Sequence, residues 1–174
     1  MLLRTARLSL EPFTLPLVEA VILGRRDVAE RMLDADLPGA WPNRALVERA
    51  FCASLEAIRA DPERRLWGDR LMVRLGPRGE RRVVGSVVFH GLPDDGVAEV
   101  AYGVEDGSQG EGLATEATEA CVSWALRQPT IVAVQATTVP WHTASLRVIA
   151  KLGMAQVGVR DHEILGELLV FERR

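Results

Sequence analysis

The stretch Val97-Ala98-Glu99-Val100-Ala101-Tyr102-Gly103-Val104, followed closely by Gln109-Gly110-Glu111-Gly112-Leu113-Ala114, joins an apolar strand pattern to an amphipathic helix pattern that runs on to Arg127. A glycine-rich turn that feeds a helix N-terminus leaves several backbone N–H groups unpaired and pointing one way, beside the positive end of the helix dipole. Such a turn is suited to a phosphate. Gly110 and Gly112 let the backbone adopt conformations that a Cβ would forbid and let ligand oxygens approach the main chain. A Walker loop needs Gly-Lys-Ser or Gly-Lys-Thr, and this turn has no lysine. A dinucleotide fingerprint reads Gly-x-Gly-x-x-Gly. Here Gly107, Gly110 and Gly112 run in a different order, and the next strand pattern, Ile131 to Val139, lacks a ribose-binding acid. What remains is Gln-x-x-Gly-x-Ala.

Working outward, the chain alternates α and β patterns. Arg4 to Leu10 reads as a strand with Pro12 helping to end it, and Leu15 to Leu33 as helical. Arg44 to Arg59 reads as an amphipathic helix stopped by Asp61-Pro62. Leu66 to Leu75 and Arg82 to His90 read as antiparallel strands around Gly76-Pro77-Arg78-Gly79, and Val97 to Val104 extends the meander. The helix after the glycine turn carries Leu113, Ala117, Ala120, Cys121 and Trp124 at near-helical spacing. Ile131 to Val139 follows as a strand, Thr143 to Leu152 as a helix closed by Gly153, and Met154 to Arg160 and Glu167 to Glu172 as two strands around Gly166.

Tyr102 to Ala117 with Trp124, and His142-Thr143-Ala144-Ser145 to Lys151-Leu152-Gly153, resemble a GNAT-family N-acetyltransferase, closest to the branch of ribosomal-protein alanine acetyltransferases. Arg7-Leu8-Ser9-Leu10-Glu11-Pro12-Phe13 resembles the family's first strand, so the resemblance spans nearly the whole chain, residues 1–174, as one domain. It implies an α/β (α+β) fold: a mixed, mostly antiparallel sheet of about six or seven strands flanked by helices and splayed between the fourth and fifth. It implies acetyl-CoA as cosubstrate and transfer of its acetyl group to a primary amine. A protein N-terminal amine is the first acceptor implied. A small amine (polyamine, amino acid or antibiotic) and a catalytically silent coenzyme A binding module are the alternatives.

The resemblance implies that Gln109, Gly110, Glu111, Gly112, Leu113 and Ala114 hold the pyrophosphate and that the pantetheine arm contacts the strand near Tyr102 and Val104. Glu99 is the candidate base for the amine. Strand alternation turns it away from Val100, Tyr102 and Val104, and an acid in so apolar a strand reads equally well as an ion-paired surface residue. Ser145, in the first turn of its helix, is the candidate proton donor to the departing thiolate; capping of that helix is its structural alternative. His142 stands where the family pattern has asparagine. One ring N–H can replace that amide's contact with the cofactor arm, or the ring can add a titrating group. Arg147 is a candidate phosphate contact or a solvated helix residue. The resemblance places acceptor choice near Trp41, Asp94 and His162.

With 174 residues, 48% of them hydrophobic, the chain can bury a sizeable core without covalent staples. A formal charge of −3 excludes a globally basic surface, so no nucleic-acid partner is expected. Neither a secretory leader pattern nor a membrane-length apolar run is found, which predicts a cytoplasmic protein without a membrane partner. Cys52 and Cys121 sit in apolar helical patterns as small hydrophobes, and His90, His142 and His162 form no ligand spacing, so no metal is expected. Nothing in the sequence sets the oligomeric state, a dimer included.

Overall fold

The computed structural model describes residues 2–39 and 55–174. In chain order the elements are β1 (Leu3–Arg4), β2 (Leu8–Pro12), α1 (Leu15–Ile22), α2 (Arg26–Leu33), α3 (Leu55–Ala60), α4 (Pro62–Arg65), β3 (Arg70–Leu75), β4 (Arg81–Val88), β5 (Val97–Glu99) and β6 (Ala101–Val104). A 3-10 turn at Asp106–Ser108 leads to α5 (Leu113–Ala125), then β7 (Ala133–Thr138), α6 (Thr143–Lys151), β8 (Ala155–His162) and β9 (Gly166–Arg173). The strands form two sheets, β1-β2-β3-β4-β6 and β5-β7-β9-β8. All pairs are antiparallel except β5 with β7.

Several sequence boundaries shift, each for a local reason. The first expected strand becomes β1 and β2 because Thr5 folds back on Leu8 through N–H···O and hydroxyl contacts. Pro12 lies inside β2 opposite Arg70, where β1, paired only at Ser9 and Leu10, has already ended. The helical stretch from Leu15 to Leu33 is two helices, since Gly24 at φ 67° turns the chain between them. Leu66 to Asp69 is a turn, not the start of a strand. Asp61-Pro62 opens α4, with Pro62 at its start and the Asp61 carboxylate accepting the Arg64 N–H. Of the expected helix from Arg44 to Arg59, only the end is described, as α3; Trp41 and Cys52 also lie outside the described residues.

The expected strand from Val97 to Val104 breaks at Val100. β5 runs parallel to β7, pairing Val97 with Ala133 and Glu99 with Gln135, and the Val100 N–H donates to Gln135 O at 2.8 Å. Beyond that bond the chain leaves β7 and pairs instead with β4, Tyr102 opposite Val87 and Val104 opposite Gly85. The splay therefore lies where the fold class places it, between Val97–Val104 and the next strand in the chain. Dividing the two expected strands brings the described strands to nine.

Both faces of the β1-β2-β3-β4-β6 sheet are covered. On one, Leu113, Ala117, Cys121 and Trp124 of α5 and Ile149 of α6 pack on Leu10, Met72, Val84 and Val100. On the other, Leu17 and Val18 of α1, Ala29 and Leu33 of α2 and Ile58 of α3 pack on Leu71, Val73, Val83 and Val88. Burial pushes the Cys121 thiol up to about 12, which keeps it a protonated hydrophobe. Among the described residues no helix is long and apolar enough to cross a membrane.

Candidate functional site

Where β6 parts from β7, an edge of backbone opens. The Val100 N–H points to β7, whereas the Glu105 N–H points the other way, to Val84 O at 2.8 Å. Strand alternation then turns the amides of Tyr102 and Val104 towards the splay, as a strand-like amide chain would require. The side chain of Tyr102 reaches α6. Its hydroxyl lies 3.0 Å from Ser145 Oγ and donates to Ser145 O at 3.2 Å. Burial raises the Tyr102 pKa and the Ser145 hydrogen bond opposes it, so this phenol stays protonated through the neutral range. Ser145, half-buried in the first turn of α6, thus directs its hydroxyl to β6. The residue at the N-cap position is His142, whose side chain makes no capping bond.

The glycine turn is held from both sides. Gln109 donates its amide to Val104 O at 3.1 Å and to Asp106 Oδ1 at 3.0 Å, clamping the turn to the end of β6. Gly110 and Gly112 take φ 79° and 81°, and Gly112 caps α5 in the left-handed region that favours glycine. No neighbour approaches within 4 Å of a Cβ built on Gly110, and only Arg7 Nη2, at 3.7 Å, approaches one on Gly112. The space that side chains would fill at these two glycines, just ahead of the first turn of α5, is therefore open. A glycine turn ahead of a helix N-terminus is the kind of backbone cradle that suits an anion.

Around the cradle stand two arginines that sequence reasoning did not single out. Arg7 donates to Glu111 O at 3.0 Å and forms a two-pronged contact with Glu116, 2.7 and 2.6 Å. Burial raises the Glu116 pKa, but hydrogen bonds from Thr5 and Arg7 outweigh it and hold this carboxylate below its ordinary range. Arg74 pairs with both Glu111 carboxylate oxygens, 3.0 and 2.8 Å, so the Glu111 side chain turns to Arg74 and only its backbone remains for the cradle. The strand-end position of Arg7 and Arg74 held no periodic signal that could have revealed this.

On the opposite face of the split strand, Glu99 ends β5. Thr137 of β7 donates its hydroxyl to Glu99 Oε1 at 2.7 Å, and Arg160 of β8 lies 3.4 Å from Oε2. His90 is electrostatically coupled to Glu99. Surrounding protein lowers the His90 pKa, although the residue still reaches solvent, while the Glu99 charge opposes that shift. His90 also has φ 56°, uncommon outside glycine, ahead of Gly91 at φ 97°. Thr137, Arg160 and His90 come from three separate strand ends, and sequence reasoning missed all three as neighbours of Glu99.

The expected residues divide into two groups. Tyr102 and Ser145 meet, and Val104 and Gln109 meet beside the cradle. His142 and Arg147 are exposed near the start of α6, and their side chains make no hydrogen bond to the described residues. Asp94 pairs with Arg64, and His162 Nδ1 accepts from the N–H groups of Ile164 and Leu165 at the β8–β9 turn. Among the described residues no group of His, Cys, Asp and Glu could hold a metal.

Residues 7–155 match the family model described as "Acetyltransferase (GNAT) domain". A comparison with the curated proteins returns no match. Among solved structures, the chain is similar to the GNAT-family acetyltransferase from Bacillus anthracis (TM-score 0.62, 20% identity, covering 99% of this chain and 98% of that one). It is similar too to the ribosomal-protein-S5-alanine acetyltransferase from Vibrio fischeri (TM-score 0.64, 13% identity, 99% and 96% covered). A third similar structure is the Microcin C7 self-immunity acetyltransferase in complex with acetyl-CoA and AMP (TM-score 0.60, 14% identity, 97% and 92% covered). The chain belongs to the acetyltransferase (GNAT) domain family and is an acyltransferase that uses acetyl-CoA as its acetyl donor.

Proposed function

We propose that this protein is a cytoplasmic, single-domain N-acetyltransferase that delivers the acetyl group to a primary amine by direct attack, with Glu99 accepting the amine proton. The observation that carries this reading is the split at Val100. It places a carboxylate on one face of the strand and a Tyr102–Ser145 hydroxyl pair on the other, three residues apart in sequence, at a gap between strands.

The cradle at Gly110 to Ala114 holds pyrophosphate, with Arg7 near it and the Tyr102 and Val104 amides aligned along the arm. The cosubstrate supplies an activated thioester whose C–S bond breaks as the amide C–N bond forms. Glu99 removes the proton that the amine must lose, directly or through a water. A β6 amide donates to the charge developing on the carbonyl oxygen. Ser145, hydrogen-bonded to a phenol that stays protonated, gives its proton to the departing sulfur and recovers one through Tyr102 or solvent. Holding amine and thioester in one gap supplies much of the rate by proximity.

An acceptor screen with acetyl-CoA tests this reading. The neighbour named for ribosomal-protein alanine acetylation makes N-terminal peptides the first arm; polyamines, amino acids and aminated antibiotics form the second. Turnover of any amine excludes a silent coenzyme A binding module, and binding without turnover across the screen establishes one.

A further inference from the structure

Arg160 faces the carboxylate that an incoming amine would use. Thr137 donates to Glu99 Oε1 at 2.7 Å and orients the carboxylate, while Arg160 Nη1 stands 3.4 Å from Oε2. The side chains of Arg160 and Glu99 are 50% and 37% exposed, and an ion pair so open to water adds little to stability. Nor is the pair needed to seat β8, which is registered on β9 from Ala155 to His162 by backbone pairing. The guanidinium nevertheless sets a positive charge beside Glu99. His90, the other titratable group coupled to Glu99, is biased towards its neutral form by the protein around it.

This arrangement discriminates among amines. A purely cationic acceptor, such as a polyamine, would approach Glu99 against the Arg160 charge and would strip Arg160 of its partner. An acceptor with a carboxylate close to its amine matches both groups at once, ammonium to Glu99 and carboxylate to the planar fork of Arg160. Arg160 is long, exposed and on an edge strand, so it can swing aside by a rotamer change to admit such a ligand.

We propose that Arg160 is a specificity-determining residue and that the acceptor is a primary amine bearing a nearby carboxylate, either a free α-amino acid or a peptide whose first residue is Asp or Glu. The proposal rests on the reading of Glu99 as the group that meets the amine.

The test compares matched pairs on the wild-type protein with saturating acetyl-CoA: the α-amino acids against their α-amides, and Asp- or Glu-initiated dipeptide amides against Ala-initiated ones. The carboxylate-bearing member should have the higher kcat/KM by on the order of 10- to 100-fold, the range expected for a charge-assisted contact. R160Q should bring that ratio close to one, and R160K, which keeps the charge but loses the fork, should restore part of it. Calorimetric titration of the same pairs into the coenzyme A complex should show the same preference without turnover. Preference confined to amino acids assigns the free amino acid, and preference confined to peptides assigns the acidic N-terminus; either supports the proposal. Equal use of acid and amide by the wild type overturns it, as does an R160Q variant that weakens both members equally. Turnover restricted to amines without a carboxylate overturns it while leaving the transferase reading intact, whereas no turnover of any amine overturns both.

Discussion

At the scale of single residues, the candidate site places its acid-base groups on opposite faces of one strand. Glu99→Gln keeps the hydrogen bond from Thr137 within reach and removes the proton acceptor. Turnover at neutral pH should fall about 10²- to 10⁴-fold, with little change in acetyl-CoA affinity and partial recovery at high pH as free amine accumulates. Normal turnover per folded molecule would leave Glu99 a structural partner of Thr137 and Arg160 only. Ser145 and His142 separate in the same way. Ser145→Ala removes the hydroxyl that meets Tyr102 while preserving helix propensity, and should lower kcat with a modest effect on cofactor affinity. His142→Asn should keep both turnover and pH profile if the exposed ring acts only as a hydrogen-bond donor to the cofactor. Loss of one limb of the pH profile in that variant would move the acid role to His142.

At the scale of elements, the cradle depends on the start of α5 rather than on particular side chains. Gly112 is its left-handed cap, and the two flanking arginines are engaged with Glu111 and Glu116. Gly112→Asp would place a carboxylate near Arg7 and beside the bound phosphates. A like charge there costs several kcal/mol, so acetyl-CoA affinity should drop by well over tenfold in a variant that remains folded. Calorimetry with a folded variant checks this, and unchanged affinity would rule out the turn as the phosphate site. The junction between β4 and β6 is also glycine-dependent. A Cβ on Gly85 would lie 2.1 Å from Gly103 O, so the close approach of these strands, and with it the placement of Tyr102 and Val104 at the splay, needs the missing side chain.

At the scale of the whole molecule, a buried carboxyl and a buried guanidinium lie side by side in the chain at the start of β3, beneath α5. Asp69 is 1% exposed and accepts the Phe89 N–H at 2.7 Å, but its Oδ2 and the Arg70 Nε have no hydrogen-bond partner among the described residues. The Arg70 guanidinium lies 5.1 Å from the Trp124 ring centroid, within the Trp67, Phe89 and Trp124 cluster. Burial pushes the Asp69 pKa up to about 7, against the Phe89 hydrogen bond and the Arg70 charge that lower it. A folded-state value above the unfolded one means that the native protein binds the extra proton. The contribution is complete below about pH 4 and declines as pH rises towards 7, by roughly 1.4 kcal/mol per pH unit crossed at the upper limit. Urea midpoints of wild type and Asp69→Asn between pH 5 and 8 check this. The wild type should lose stability relative to the variant as pH rises, and a constant difference would show that Asp69 does not titrate in the window.

Local chemistry alone determined much of this protein. Glycines at 110 and 112 ahead of an amphipathic run specify a left-handed turn and a helix start wherever the chain goes, and the fold class followed from the family resemblance carried by Tyr102 to Ala117 and His142 to Gly153. Periodicity also assigned faces correctly, with Glu99 turned from Val100 and Tyr102, because alternation is a property of the strand itself. Contacts between distant segments were not legible. The break at Val100 depends on β4 and β7 competing for the two ends of one strand, and no residue type marks it. Likewise Tyr102 with Ser145, Arg7 with Glu116 and Arg160 with Glu99 are separated by 43, 109 and 61 residues, distances over which sequence patterns have no reach. Only the closed sheets bring those groups within hydrogen-bonding range. The charges that would select an acceptor were therefore decided by tertiary structure, whereas the turn that would hold the cosubstrate was written in consecutive residues.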